Sequence, residues 1–238
     1  MTKLFIKGTF LTLAFAVISL AAKAQIGYDY AQYDLGLGGA YNTVYGDAQT
    51  TKGTPSAAVS FNFNQTPYAN YIFEVQAGTL EGGDKLSTTG RYFKNSYTAL
   101  VFRGQLQAGE IIDYSGGGIM AGLKNLYLST GVGYVLNNMK DINRVSQKLQ
   151  YPNGDPFYSG GLNKSNELYI PARIGYEFKF FNQYSQPSFK IDVGYQLNFD
   201  LTDNLDGFTA GKSKDVWSQI SINLKFALGG VTSYRKTL

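Results

Sequence analysis

Residues 188–201 read SFKIDVGYQLNFDL, in which Phe189, Ile191, Val193, Tyr195, Leu197, Phe199 and Leu201 alternate with Lys190, Asp192, Gly194, Gln196, Asn198 and Asp200. A period of two marks an extended strand with one apolar and one polar face. The same pattern recurs near 33–45, 56–64, 69–78, 96–109, 125–136, 166–180 and 215–228, which makes eight strands in all. The chain offers no amphipathic helix to cover so many apolar faces. Lipid is the simplest partner for them, with the polar faces turned into a closed ring where every backbone group is paired. The expected fold class is therefore all-β: an eight-stranded antiparallel up-and-down transmembrane β-barrel, preceded by a cleaved signal peptide.

The leader occupies residues 1–24, with Lys3 and Lys7 ahead of an apolar stretch from Gly8 to Ala22, then Ala22-Lys23-Ala24 before Gln25. This is the charged, apolar and small-residue order of a secretory signal, and its apolar part is short for a spanning helix. The barrel domain is expected over 25–238. Removing the leader changes the charge: 21 Lys plus Arg face 17 Asp plus Glu overall, but three of those lysines lie in 1–24, which leaves 18 against 17. The basic balance thus belongs largely to the leader and gives no support for nucleic-acid binding. Cysteine is absent, so no disulfide framework holds an exported chain together. The 19 Tyr and 16 Phe against one Trp suit the two interfaces of a bilayer, where a ring and a hydroxyl are both satisfied.

Connections alternate in length, as bacterial barrels with short periplasmic turns and longer external loops require. Links at 65–68 and 181–187 are short and contain Pro67 and Pro187; links at 46–55, 79–95, 137–165 and 202–214 are longer. This places both ends of the barrel domain on the periplasmic side. The link at 110–124 is long for its side. Within 137–165, Lys140, Arg144 and Lys148 accompany Tyr151, Phe157 and Tyr158, turns are signalled at Pro152-Asn153-Gly154 and Gly160-Gly161, and Lys140–Leu149 has the composition of a short surface helix.

The inward phase of the strands carries Glu74, Arg103, Gln105, Arg173, Glu177, Lys179, Lys190, Asp192, Asn198 and Lys225. Eight strands enclose a lumen that side chains can fill, so the charged members Glu74, Arg103, Arg173, Glu177, Lys179, Lys190, Asp192 and Lys225 are expected to form a paired polar network. An ion path through the same residues is the rival reading.

Histidine is absent along with cysteine, which removes the usual base, nucleophile and nitrogen or sulfur metal ligands. No catalytic residue, cofactor or metal is expected. Asp200, Asp203, Asn204 and Asp206 in DLTDNLDG offer oxygens to calcium, but their spacing is not that of an EF-hand and a polar surface loop accounts for them. In GGGIMAGLK, Leu123 stands where a phosphate loop needs lysine, and Gly36 and Gly38 in LGLGG lie inside a strand rather than at a strand-to-helix turn.

With leader, strands and turns in place, the chain resembles the small outer-membrane β-barrel proteins of Bacteroidota, in the OmpA-like barrel class. Within that class LGLGGAYNTVYGD, GRYFKNSYTALVFRGQLQ and LYLSTGVGY look loosely similar to the barrel subunit associated with type IX secretion. The resemblance implies an exported, non-enzymatic, monomeric barrel in the outer membrane of a Gram-negative envelope. Its expected partners are outer-membrane lipid and another envelope or secretion protein, with no nucleic acid. Rival functions are a narrow channel for ions or small solutes and a soluble periplasmic barrel that stores a lipophilic ligand; the latter would put the apolar band inside.

Overall fold

A computed structural model describes residues 28–48, 50–114, 117–183, 185–209 and 214–234. The leader expected at 1–24 and the tail residues Arg235 and Lys236 lie outside them. Eight long strands close into a barrel: β1 (Tyr28–Tyr45), β2 (Thr51–Asn64), β3 (Ala69–Gly83), β4 (Tyr92–Gln107), β5 (Leu126–Asn143), β8 (Lys164–Phe181), β9 (Pro187–Asp200) and β10 (Val216–Tyr234). Each pairs antiparallel with its sequence neighbour, and β1 pairs with β10 to complete the ring. A two-stranded ribbon, β6 (Val145–Gln150) with β7 (Pro156–Tyr158), projects from the β5–β8 connection. No helix among the described residues is long and apolar enough to cross a membrane.

Closure explains why the terminal strands outrun their alternation. Tyr28 pairs with Tyr234, and the register slips between Ala31 and Tyr33 opposite Leu228 and Val231. The extra residue lies in β10, between Leu228 and Val231, and flips that strand's phase beyond it, so 229–234 does not read as a continuation of its strand. The expected helix over Lys140–Leu149 is not formed. Strand β5 instead runs to Asn143, because Tyr92, Phe93 and Lys94 of β4 offer a ladder to pair with, and the remainder enters the ribbon. The ribbon turns where Pro152-Asn153-Gly154 signals it, with the Gly154 N–H donating to the Tyr151 carbonyl. The 110–124 link holds a single 3₁₀ turn, Ala108–Glu110, and a short helix α1, Gly118–Leu123.

The side chains sort by phase. Leu37, Phe61, Phe73, Phe102, Val132, Ile170, Tyr195 and Ile222 are all exposed on the outer wall, and the alternate positions are buried within the ring. This is the reverse of a barrel that keeps an apolar ligand inside. Aromatic rings run around one end of this outer belt as a ladder, Tyr33 stacking on Phe61, Phe63 on Tyr71 and Tyr71 on Phe102. Between Tyr71, Leu128, Ile174 and Tyr195 the belt dips into a groove of about 860 Å³. It forms where small outward residues align across strands, Gly104 beside Thr130 and Thr130 beside Ala172.

Beside that groove Pro171 sits inside β8 without an N–H to give, and the β5–β8 pairing skips from Thr130/Ala172 to Gly133/Tyr169. The residue across the skip is Gly131, where a Cβ would collide with the Phe102 carbonyl and the Arg103 backbone. The wall is therefore pinched at this point by close backbone approach rather than by side-chain packing.

Candidate functional site

The lumen is built in tiers, each set by which strands bring their inward phase to the same height. Nearest the β2–β3 turn, Lys190 of β9 meets Asp34 of β1 at 2.7 Å. Glu177 of β8 lies 2.9 Å from Lys225, 3.8 Å from Lys190 and 3.9 Å from Lys179. Lys179 donates to the Pro67 carbonyl at 2.6 Å and to Gln107 Oε1 at 2.7 Å, so its charge is held mainly by neutral acceptors. One tier up, Lys225 reaches Asp192 Oδ2 at 2.6 Å while Arg173 donates to Asp192 Oδ1 at 2.7 Å. The Tyr127 hydroxyl donates to the same carboxylate at 2.6 Å and accepts from Arg173 Nε.

Arg103 of β4 lies level with this cluster. It donates to Glu74 Oε2 at 2.6 Å and to Gln196 Oε1 at 2.7 Å. Above it the charges give way to amides: Gln219 Nε2 donates to Asn42 Oδ1 at 2.8 Å and to Gln76 Oε1 at 3.0 Å, and Gln196 donates to Asn198 and Gln219. A void of about 10 Å³ between Glu74, Gln76, Arg173, Gln219, Ser221 and Asn223 has room for about one water and no more.

Both mouths are stopped. At the end carrying the 65–68 turn, Tyr30, Tyr68 and Tyr114 pack together with Tyr234, and the ammonium of Lys179 lies 4.5 Å from the centre of the Tyr68 ring. At the other end Phe93, Tyr97, Tyr169 and Trp217 form an apolar layer, into which the β9–β10 connection lowers Leu205 and Phe208, both fully buried. This corrects the expectation of a surface loop at DLTDNLDG: Asp206 is buried too, and the segment is a lid. It turns at Gly207, whose φ of 75° favours glycine. Two arginines hold it from outside: Arg144 donates to the Gly207 carbonyl through Nε and Nη2, and Arg91 lies over the Phe208 ring.

The lid brings acids together. Asp206 Oδ2 accepts the Asp47 N–H at 2.7 Å, and Asp215 Oδ2 accepts the Leu205 N–H at 2.9 Å. Burial first, and then neighbouring acid charge, pushes both carboxyls well above the usual carboxylate range: Asp47 and Asp203 act on Asp206, and Asp206, Asp203 and Asp200 act on Asp215. A second pair, Glu167 of β8 and Asp200 of β9, is bridged by the Thr202 hydroxyl. Among the described residues no group of three or more acids has the arrangement of a metal site.

Of the residues singled out from sequence, Glu74 and Arg103 form one pair, and Arg173, Glu177, Lys179, Lys190, Asp192 and Lys225 share the neighbouring cluster. Sequence reading missed Asp34, Tyr127, Gln76 and Gln219, although each lies in the inward phase of its strand. It also missed Glu167 and Asp215, which gain their significance only from the lid.

No family model matches the chain, and no curated protein matches it. Among solved structures it is similar to Neisserial surface protein A, at 11% identity and a TM-score of 0.42 over 83% of this chain and 98% of that one. It is also similar to Ail, the attachment invasion locus protein of Yersinia pestis, at 11% identity and a TM-score of 0.43 over 86% and 99%. The translocator domain of the autotransporter NalP from Neisseria meningitidis matches at 7% identity and a TM-score of 0.31, over 95% of this chain and 98% of that domain.

Proposed function

We propose that the chain is a non-enzymatic outer-membrane barrel of a Gram-negative envelope, exported by its leader, whose work is done at its ends rather than through its middle. The observation that carries this reading is the inversion of polarity: an apolar wall faces out and a buried network of ion pairs and amides faces in. An apolar belt of this extent, continuous around a closed ring, is stable only in hydrocarbon. A lumen filled with ion pairs and amides, stoppered by tyrosines at one end and a lid at the other, offers solutes no route. That disfavours the narrow-channel reading and leaves the projecting parts as the functional surface.

The β6–β7 ribbon is the surface best suited to a protein partner in the envelope. It exposes Val145, Leu149, Tyr151 and Tyr158, with Leu86 and Leu162 beside it, and Lys148 ties it to the Leu86 carbonyl at 2.7 Å. Apolar and tyrosine side chains on a braced ribbon have the character of an interface core. A photoreactive residue in place of Tyr158, activated in intact cells, should give a discrete protein adduct, whereas the same probe in place of Leu37 on the belt should give lipid adducts only. Equal protein adducts at the two positions, or none at Tyr158, would rule the ribbon out as the contact surface.

A further inference from the structure

We infer that the lid over residues 201–209 is a proton-held closure over the apolar layer at this end of the barrel, shut at acidic pH and released as the buried carboxyl pairs ionise. It rests on the reading of the chain as a closed barrel and adds a moving part to it. The first pair is Asp206 with Asp215. Asp206 Oδ2, which also accepts the Asp47 N–H, and Asp215 Oδ1 converge on the space that a Cβ at Gly46 would occupy, so only a glycine at the tip of the β1–β2 connection lets them meet. The second pair is Glu167 with Asp200. Both are buried, and Glu167 Oε1 and Asp200 Oδ2 have no hydrogen-bond partner among the described groups. Two carboxylates cannot share such a place when both are charged; one proton per pair turns repulsion into a hydrogen bond.

Packed around the lid are Glu167 of β8, Asp200 of β9, Asp203 within it, Asp47 beside it, Lys214 and Asp215 at the foot of β10, and Arg91 and Arg144 above. The two guanidiniums donate to carbonyls, Arg91 to Asp47 and Arg144 to Gly207. Asp203, with a carboxyl also raised by burial and by Asp47 and Glu167, adds to the repulsion. Tyr97 and Tyr169 pack in the layer beneath the lid.

The sign follows from linkage. The closed lid holds Asp206, Asp215 and Asp203 with their affinity for protons raised, and the open lid returns them to their ordinary range near pH 4. Closure is therefore fully favoured below about pH 4 and weakens as pH rises through the raised range of the buried acids. Opening withdraws Leu205 and Phe208 from Phe93, Tyr169 and Trp217, and it gives water to the indole N–H of Trp217 and the hydroxyl of Tyr169, which lack partners when the lid is shut. The tiers of amides and ion pairs below stay in place, so the product is a cup open on one side.

Trp217 is the one tryptophan in the sequence and lies under the lid, 4.6 Å from the Tyr169 ring centre. Acrylamide quenching of its fluorescence in vesicles, followed from pH 4 to pH 9, should rise severalfold while far-UV circular dichroism and the mobility of the unheated protein stay constant. In Glu167→Gln/Asp215→Asn each new amide can donate where the shared proton stood, so this variant should remain protected to pH 9. Quenching that does not change with pH, or that rises equally in the variant, overturns the lid. Protection restored at pH 9 by calcium or magnesium makes the pairs a cation site and overturns it as well. Loss of the compact unheated band would instead count against the barrel reading itself.

Discussion

Glu177→Gln is expected to destabilise the folded barrel by about 3–5 kcal/mol, the cost of leaving buried charges without their counter-charge. Glu177 is fully buried and has three ammonium groups within 3.9 Å. The substitution keeps the shape and removes the charge, so Lys179 and Lys190 face each other and Lys225 with less compensation. Urea unfolding in lipid vesicles measures the loss as a fall in midpoint at unchanged slope. The double variant Glu177→Gln/Lys225→Met should recover most of it. Asp192 then still holds Arg173, and Lys190 still holds Asp34, so charge returns to the balance of the native cluster. A single variant as stable as wild type would mean that the cluster is hydrated and the lumen open to water. A double variant no better than the single would mean that the loss comes from packing.

Val132→Arg tests the outer wall with comparable force. Val132 is 59% exposed, and in a soluble protein a charge at such a position costs almost nothing. In the middle of a bilayer an arginine on the lipid face costs about 2–4 kcal/mol, falling towards zero near the interfaces. The variant should therefore lose stability by that amount in vesicles, whereas Leu86→Arg, on the 84–91 connection outside the belt, should not. Equal and negligible effects at the two positions would place the belt in water.

The fold was legible because lipid and lumen impose opposite chemistries on successive residues. SFKIDVGYQLNFDL states both faces in one line, and β9 runs Pro187–Asp200, one residue from the 188–201 reading at each end. The reading failed where that constraint lapses. Beyond the bulge at Leu228–Val231 the phase of β10 changes, and in Lys140–Leu149 the chain leaves the belt and the alternation of apolar and polar residues is lost. The charged lumen set followed from phase alone, but its pairing did not. Lys190 meets Asp34 across a stretch of sequence that only barrel closure shortens. The lid was hidden for a different reason: Leu205 and Phe208 lie among Asp, Asn and Gly, a composition that normally marks a solvated turn. Nothing local says that the loop folds back over its own barrel.

The most direct test of a closed, lipid-embedded barrel is the gel mobility of the protein in SDS, unheated against boiled, taken from a fractionated outer membrane. Paired strands with no free edge resist SDS in the cold, so the unheated sample should run as a compact band that shifts on boiling, and it should be found in that fraction. A protein recovered from the soluble periplasm, with one mobility in both lanes, would contradict the account.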